Sequence, residues 1–159
     1  MDSIKIREAS LSDAFNLVRL IVPEFAKRTN EDLAEGKYVK KWLENYEMIV
    51  HSSIVTSFVA IDSNNELVGV LTVYLLPRLE LAGYYSVIED VFVKESERSK
   101  GIGSLLFKEA IKYLKSNGCR YVTLNVARDN DKAQSFYRKL GFKTEALEMR
   151  LDLIGPERS

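Results

Sequence analysis

Two hydrophobic periods alternate along the chain, and the places where one gives way to the other mark out the elements. "IKIRE" (4–8) alternates apolar and polar residues and predicts a first strand. In the following "SLSDAF", Ser10 or Ser12 can cap a helix that carries Phe15, Leu17, Val18, Leu20 and Ile21 at helical spacing. Pro23 should end or kink that helix. "NEDLAEGKYVKKWLENYEMI" predicts a second helix, with Asn30 as cap and a stripe of Leu33, Tyr38, Val39, Trp42, Leu43 and Tyr46, weakened by Gly36. "IVTSFVAID" (54–62) and "ELVGVLTVYLL" (66–76) are β-branched runs joined by "SNN", which predicts an antiparallel hairpin. After the loop "PRLELAGY" comes a strand "YSVIEDVFV" (85–93), then a helix within 95–114, a strand "RYVTLNV" (120–126) and a helical "DNDKAQSFYRKL". Gly141 stops that helix, and "FKTEALEMRLDL" reads as a last strand or hairpin, with a fraying "IGPERS" tail.

The order β-α-α-β-β-β-α-β-α-β(β) combines antiparallel neighbours with at least one strand-helix-strand crossover. It predicts an α+β fold around one mixed, mostly antiparallel sheet flanked by helices. At 159 residues the chain suits a single domain, 1–159. Lys+Arg and Asp+Glu balance at 23 each, so no global field recruits nucleic acid or an anionic membrane, and any anion site must be local. The one cysteine, Cys119, has no partner in the chain and no metal-type cluster around it. With no signal peptide and no apolar run near the roughly 20 residues of a membrane span, a cytoplasmic protein without structural metal is expected.

The chemistry concentrates in "ESERSKGIGSLLFKEAIKYL" (95–114), where Gly101 and Gly103 open a helix with Arg98 and Lys100 just ahead. A helix N-terminus offers unpaired N–H groups to an anion, and glycines let the anion come close. Two familiar phosphate loops fail on spacing. Ser104 and Leu105 follow Gly103, without the lysine of a nucleotide-hydrolase loop, and Leu106 stands where a dinucleotide fingerprint needs its third glycine. Taken alone, the two glycines also suit a plain turn.

The surroundings say more. Arg98-Ser99-Lys100-Gly101-Ile102-Gly103 has the form Arg/Gln-x-x-Gly-x-Gly/Ala after the strand "IEDVFV", and "VARDNDKAQSFYRKLGF" follows with Val126, Asn130, Ala133, Phe136, Tyr137, Gly141 and Phe142 at matching intervals. Over residues 85 to 145 the chain resembles the GNAT family of N-acetyltransferases. That resemblance implies acetyl-coenzyme A as donor, held where the "EDVFV" strand splays from the "TLNV" strand. The N–H groups from Ser99 to Ser104, across Ile102, would wrap the pyrophosphate while Arg98 and Lys100 screen it. The pantetheine arm would pair with the backbone of Val91 and Val93. Strand alternation puts these on the face of Glu89, with Phe92 on the other face as core and Asp90 as a structural carboxylate.

Acetyl transfer to an amine needs a neutral amine, a site for the oxyanion and a proton for the leaving thiolate. The resemblance implies Tyr137 as the acid and Glu89 as the base, directly or through water, with the amine attacking in a ternary complex. Backbone N–H groups at a strand bulge near Val91 and Phe92 would hold the oxyanion. Asn130 reads as an N-cap, and the resemblance implies a polar contact from it to the coenzyme as well. His51 and Cys119 receive no chemical role. "IEDVFV" resembles the strand of family members that act on polyamines and other small amines, and that resemblance implies a small primary amine of the polyamine, amino-sugar or amino-acid type as acceptor. A protein N-terminus or lysine is the alternative acceptor, and a non-catalytic acetyl-coenzyme A sensor is the alternative of another class. Tyr38, Trp42, Glu44 and Tyr46 either wall the acceptor or simply pack on the sheet. The resemblance also allows a homodimer formed through sheet edges or C-terminal strands.

Overall fold

The computed structural model describes residues 4–29 and 36–146, together with 148, 149, 151 and 153. The chain falls into two compact units, residues 1–124 and 125–159. In the first, β1 (Lys5–Glu8), α1 (Ala14–Thr29), α2 (Gly36–Val50), β2 (Val55–Ile61), β3 (Leu67–Arg78), β4 (Gly83–Val93), α3 (Ile102–Ser116) and β5 (Cys119–Leu124) follow in order. The sheet has the order β1-β2-β3-β4-β5, with β4 and β5 parallel and every other pair antiparallel. The parallel pair needs a crossover, and α3 supplies it. The expected α+β architecture with a mixed sheet is the one observed.

The chain enters α1 as the serine pattern suggests. Ser10 N–H donates to Asp13 Oδ2 at 2.8 Å, and Arg7 grips both carboxylate oxygens at 2.7 Å. Asp13 is buried, and Arg7 holds its carboxyl below the usual carboxylate range. Pro23 does not end α1, which runs on to Thr29. Proline deletes one ladder bond there, while Leu17, Leu20 and Ile21 on the preceding turns anchor the helix in the core. Asn30 and Leu33, expected to open the second helix, lie outside the described residues; α2 starts at Gly36.

The β2–β3 turn is held by Asp62, whose Oδ1 accepts from Asn64 and Glu66 N–H at 2.9 and 2.8 Å, with Asn65 in the left-handed region at φ 62°. β3 and β4 both run further than the hydrophobic pattern suggests, leaving a short 3-10 turn, Leu79–Leu81, between them. Alternation along β2 and β3 sends one set of side chains to each face. Val59 and Val70 pack with Leu17 of α1 and Tyr46 of α2, and Trp42 and Phe92 close that core. On the opposite face α3 buries Ile102, Leu106, Phe107, Ala110 and Leu114. Trp42 stacks on Tyr46 at 5.2 Å, and the Tyr46 hydroxyl donates to Ser10 O at 2.9 Å, so these two aromatics hold α2 in place. Burial pushes the Tyr46 phenol up to about 12.

The second unit contains α4 (Asp131–Lys139). Asn130 is its N-cap, with Oδ1 accepting Ala133 N–H at 3.1 Å. Gly141, at φ 96°, lets the chain leave after the helix. The expected final strand is absent among the described residues after Gly141. Met149, Leu151 and Leu153 alternate as a strand would, yet all are exposed. Alternation gives a segment two faces but does not supply the neighbouring strand that completes the ladder. The "IGPERS" tail (154–159) lies outside the described residues. Among the described residues no helix is long and apolar enough to cross a membrane.

Candidate active site

The first unit gathers most of the candidate residues at the end of β4 and the start of α3. β5 stops at Leu124, level with Ile88, and among the described residues no strand pairs with Glu89–Val93 on that side. On the other side β4 continues against β3, with Val91 opposite Leu71, Phe92 opposite Val70 and Val93 opposite Gly69. β4 therefore extends past its parallel neighbour with one main-chain edge available to an extended, amide-bearing ligand.

β4 carries its bulge slightly earlier than expected. Leu71 pairs with Val91 but Val73 pairs with Ile88, so Glu89 and Asp90 share the single position opposite Thr72. This corrects the alternation argument. Val91 and Val93 face α3, whereas the Glu89–Asp90 bulge lies on the Thr72 and Tyr74 side of the sheet. Tyr74 agrees with this placement: its phenol is pushed up by burial, then by the charges of Asp90 and Glu89. Glu89 is exposed and Asp90 half-buried, so Glu89 is the carboxylate open to an incoming molecule. Phe92 packs into the α1/α2 core as expected.

Beyond β4, a short turn (Glu95–Glu97) leads into the loop. Ser99 and Gly101 both take left-handed backbone, at φ 66° and 84°. A serine there costs about 1–2 kcal/mol that the surrounding structure must hold. The first main-chain bond of α3 runs from Leu105 N–H to Gly101 O, and no side chain caps the helix. The N–H groups from Gly101 through Ile102 and Gly103 to Ser104 thus have no intrahelical acceptor, and a Cβ placed on Gly101 would meet nothing within 4 Å. An anion can approach this turn closely. Arg98 Nε donates to Val93 O at 3.1 Å, tying the loop to the strand end, and Lys100 Nζ is held by both Glu97 oxygens at 3.0 Å.

Gly69 is a residue the sequence reading passed over. It lies under the first turns of α3: a Cβ there would come within 3.1 Å of Phe92 O, 3.2 Å of Leu106 Cδ1 and 3.3 Å of Ile102 Cγ2. The missing side chain seats the helix N-terminus against the end of β4. An isolated glycine inside "LVGVLTV" is the signal that could have found it.

In the second unit, Tyr137 lies on α4 with Phe136 and Phe142 rings at 5.5 and 6.0 Å. Burial raises its phenol above the ordinary tyrosine range, so it stays a proton donor at neutral pH. Two unassigned residues have ordinary structural contacts. His51 Nδ1 donates to Glu47 O at 2.9 Å at the end of α2, and the half-buried Cys119 thiol donates to Tyr121 O at 3.1 Å. A cleft of about 830 Å3 between α1, the β2–β3 turn and Lys94–Ser96 is lined by none of the candidate residues.

Residues 17–142 match the family model of the acetyltransferase (GNAT) family. The chain is 32% identical over 108 residues to a glucosamine 6-phosphate N-acetyltransferase of Trypanosoma brucei brucei, covering 67% of this chain and 71% of that one. It is 33% identical over 115 residues to N-alpha-acetyltransferase 30 of Schizosaccharomyces pombe, covering 70% and 71%. A solved structure of a transcriptional regulator from Bacillus halodurans C-125 superimposes with a TM-score of 0.81 at 29% identity, over 94% of this chain and all of that one. The glycine-opened helix beside an overhanging strand is thus part of a wider likeness across most of the chain, and this protein is an acyltransferase belonging to the acetyltransferase (GNAT) family.

Proposed function

We propose that the protein transfers the acetyl group of acetyl-coenzyme A to a primary amine of a small molecule, within one domain spanning 1–159. The observation that carries this reading is the pairing of an open anion turn, Ser99–Ser104, with an overhanging β4 edge. The first suits a pyrophosphate and the second an amide-bearing arm. Arg98 and Lys100 add positive charge at the turn, and Asn130 contributes a polar contact. The family match runs through residue 124, where the two units divide, which supports treating them as one domain.

The chemistry assigned to the chain's own residues is a direct transfer in a ternary complex. Glu89, directly or through a water, takes the proton from the ammonium so that the neutral amine attacks the thioester carbonyl. The bulge at Glu89–Asp90 breaks the ladder just before Val91, which supports main-chain N–H groups there as the holders of the oxyanion. Tyr137 gives its proton to the departing thiolate as the C–S bond breaks. The desolvated phenol suits that role, because burial keeps it protonated until the thiolate forms.

Glucosamine 6-phosphate, named for one relative, is a small primary amine and supports the small-molecule acceptor. The similarity to an N-alpha-acetyltransferase favours a second reading, a protein N-terminus. Thiol release from acetyl-coenzyme A, measured against polyamines, amino sugars, amino acids and N-terminal peptides, separates these readings. Turnover on a small amine with none on peptides is the expected result; binding of the coenzyme with no turnover on any acceptor would replace the enzyme by a sensor. Tyr137→Phe should lower kcat about 10–100-fold with the fold intact, and unchanged turnover would remove its acid role. Glu89→Gln should lower kcat/KM about 100-fold or more with the fold intact, and turnover like that of the parent would remove the base.

A further inference from the structure

We propose that Glu97 is a positioning residue that sets the coenzyme affinity of the Ser99–Ser104 turn by occupying Lys100; this rests on the coenzyme reading above. Lys100 lies within the anion turn, immediately before Gly101, yet its ammonium is engaged by both oxygens of one carboxylate at 3.0 Å. Glu97 is well covered, its side chain 24% exposed against 59% for Lys100. Its backbone is fixed as well, since its N–H donates to Lys94 O at 2.8 Å. On the other side, Ser99 and Gly101 fix the loop in left-handed backbone. The carboxylate is therefore built into the turn as firmly as the lysine.

An anion site with a carboxylate of its own binds below its full strength. A pyrophosphate entering the turn draws Lys100 off Glu97, exchanging one ion pair for another, and leaves the Glu97 charge unpaired beside the phosphates. The same contact is waiting to re-form when spent coenzyme A leaves. Glu97 in this view trades affinity for release.

Calorimetric titration of free coenzyme A and acetyl-coenzyme A into the full chain tests this, using the parent, Glu97→Gln, Glu97→Asp, Lys100→Met and the Glu97→Gln/Lys100→Met pair. Glu97→Gln should tighten both ligands by about three- to tenfold and steepen their salt dependence, while Glu97→Asp, which keeps the charge, stays near the parent. With Lys100→Met in place, Glu97→Gln should change affinity by less than about twofold, because the lysine it acts through is gone. Unchanged or weaker binding by Glu97→Gln overturns the proposal, and so does an equal gain in the Lys100→Met background. Failure of the parent itself to bind acetyl-coenzyme A is a separate outcome, which overturns the coenzyme reading and this inference together.

Discussion

Gly101 carries two burdens that substitution can separate. Its backbone sits at φ 84°, where an L side chain costs about 1–2 kcal/mol, and its missing Cβ leaves the space above the turn open. Gly101→Ala pays the conformational term but meets no neighbour within 4 Å. It also recovers roughly 0.4–1 kcal/mol through a less mobile unfolded chain. The net loss should be about 0.5–1 kcal/mol, a fall in Tm of about 1–4 °C for a chain of this size. Asparagine tolerates left-handed backbone, so Gly101→Asn should lie within about 1 °C of the parent. Both variants put a Cβ where the pyrophosphate must approach, so both should weaken acetyl-coenzyme A about tenfold or more, and Gly101→Glu further still. Differential scanning calorimetry and titration measure the two effects independently. If Gly101→Ala melts with the parent, the left-handed backbone is not needed. If Gly101→Asn binds acetyl-coenzyme A with native affinity, the turn does not grip the coenzyme.

Other outcomes follow from the packing and the charges. Gly69→Ala forces a Cβ against Phe92 O, Leu106 and Ile102, and should cost about 1–2 kcal/mol; a thermal melt equal to the parent's would mean that α3 seats more loosely than its contacts indicate. Ser86, fully buried, has a hydroxyl with no partner among the described residues, so Ser86→Ala should leave the Tm equal or raise it by about 2 °C, and a clear fall would reveal a hidden partner. Asp13 titrates lower in the folded chain than unfolded because Arg7 hydrogen-bonds its carboxylate. Its contribution is complete above the ordinary carboxylate range near pH ~4 and drains away as pH falls through the lowered folded value. Asp13→Asn should cost about 1–2 kcal/mol at pH 7, discounted because Arg7 is partly exposed, and the gap to the parent in urea melts should narrow toward pH 3.

The strand and helix order through α4 was legible from hydrophobic period and turn residues, because burying one face of each element imposes that period on the sequence. The glycine-opened helix was legible for a local reason. A helix start, its free N–H groups and two glycines lie within a few residues of one another, so spacing alone could exclude the nucleotide loops. Asn130 as a cap belongs to the same class. What the sequence could not decide were matters of pairing across distance. The one-residue bulge moved Glu89 off the face of Val91 and onto that of Asp90, because register depends on which β3 residue lies opposite each β4 residue. Pro23 stayed inside α1 because Leu17, Leu20 and Ile21 on the turns before it anchor the helix in the core despite a lost hydrogen bond. Gly69 acquired its role only when α3 came down upon it, and Lys94 met Glu66 only when β3 and β4 paired. The sequence determined the elements and the anion turn through contacts between near neighbours in the chain; the tertiary structure decided faces, register and charge pairing, which arise between residues that folding brings together.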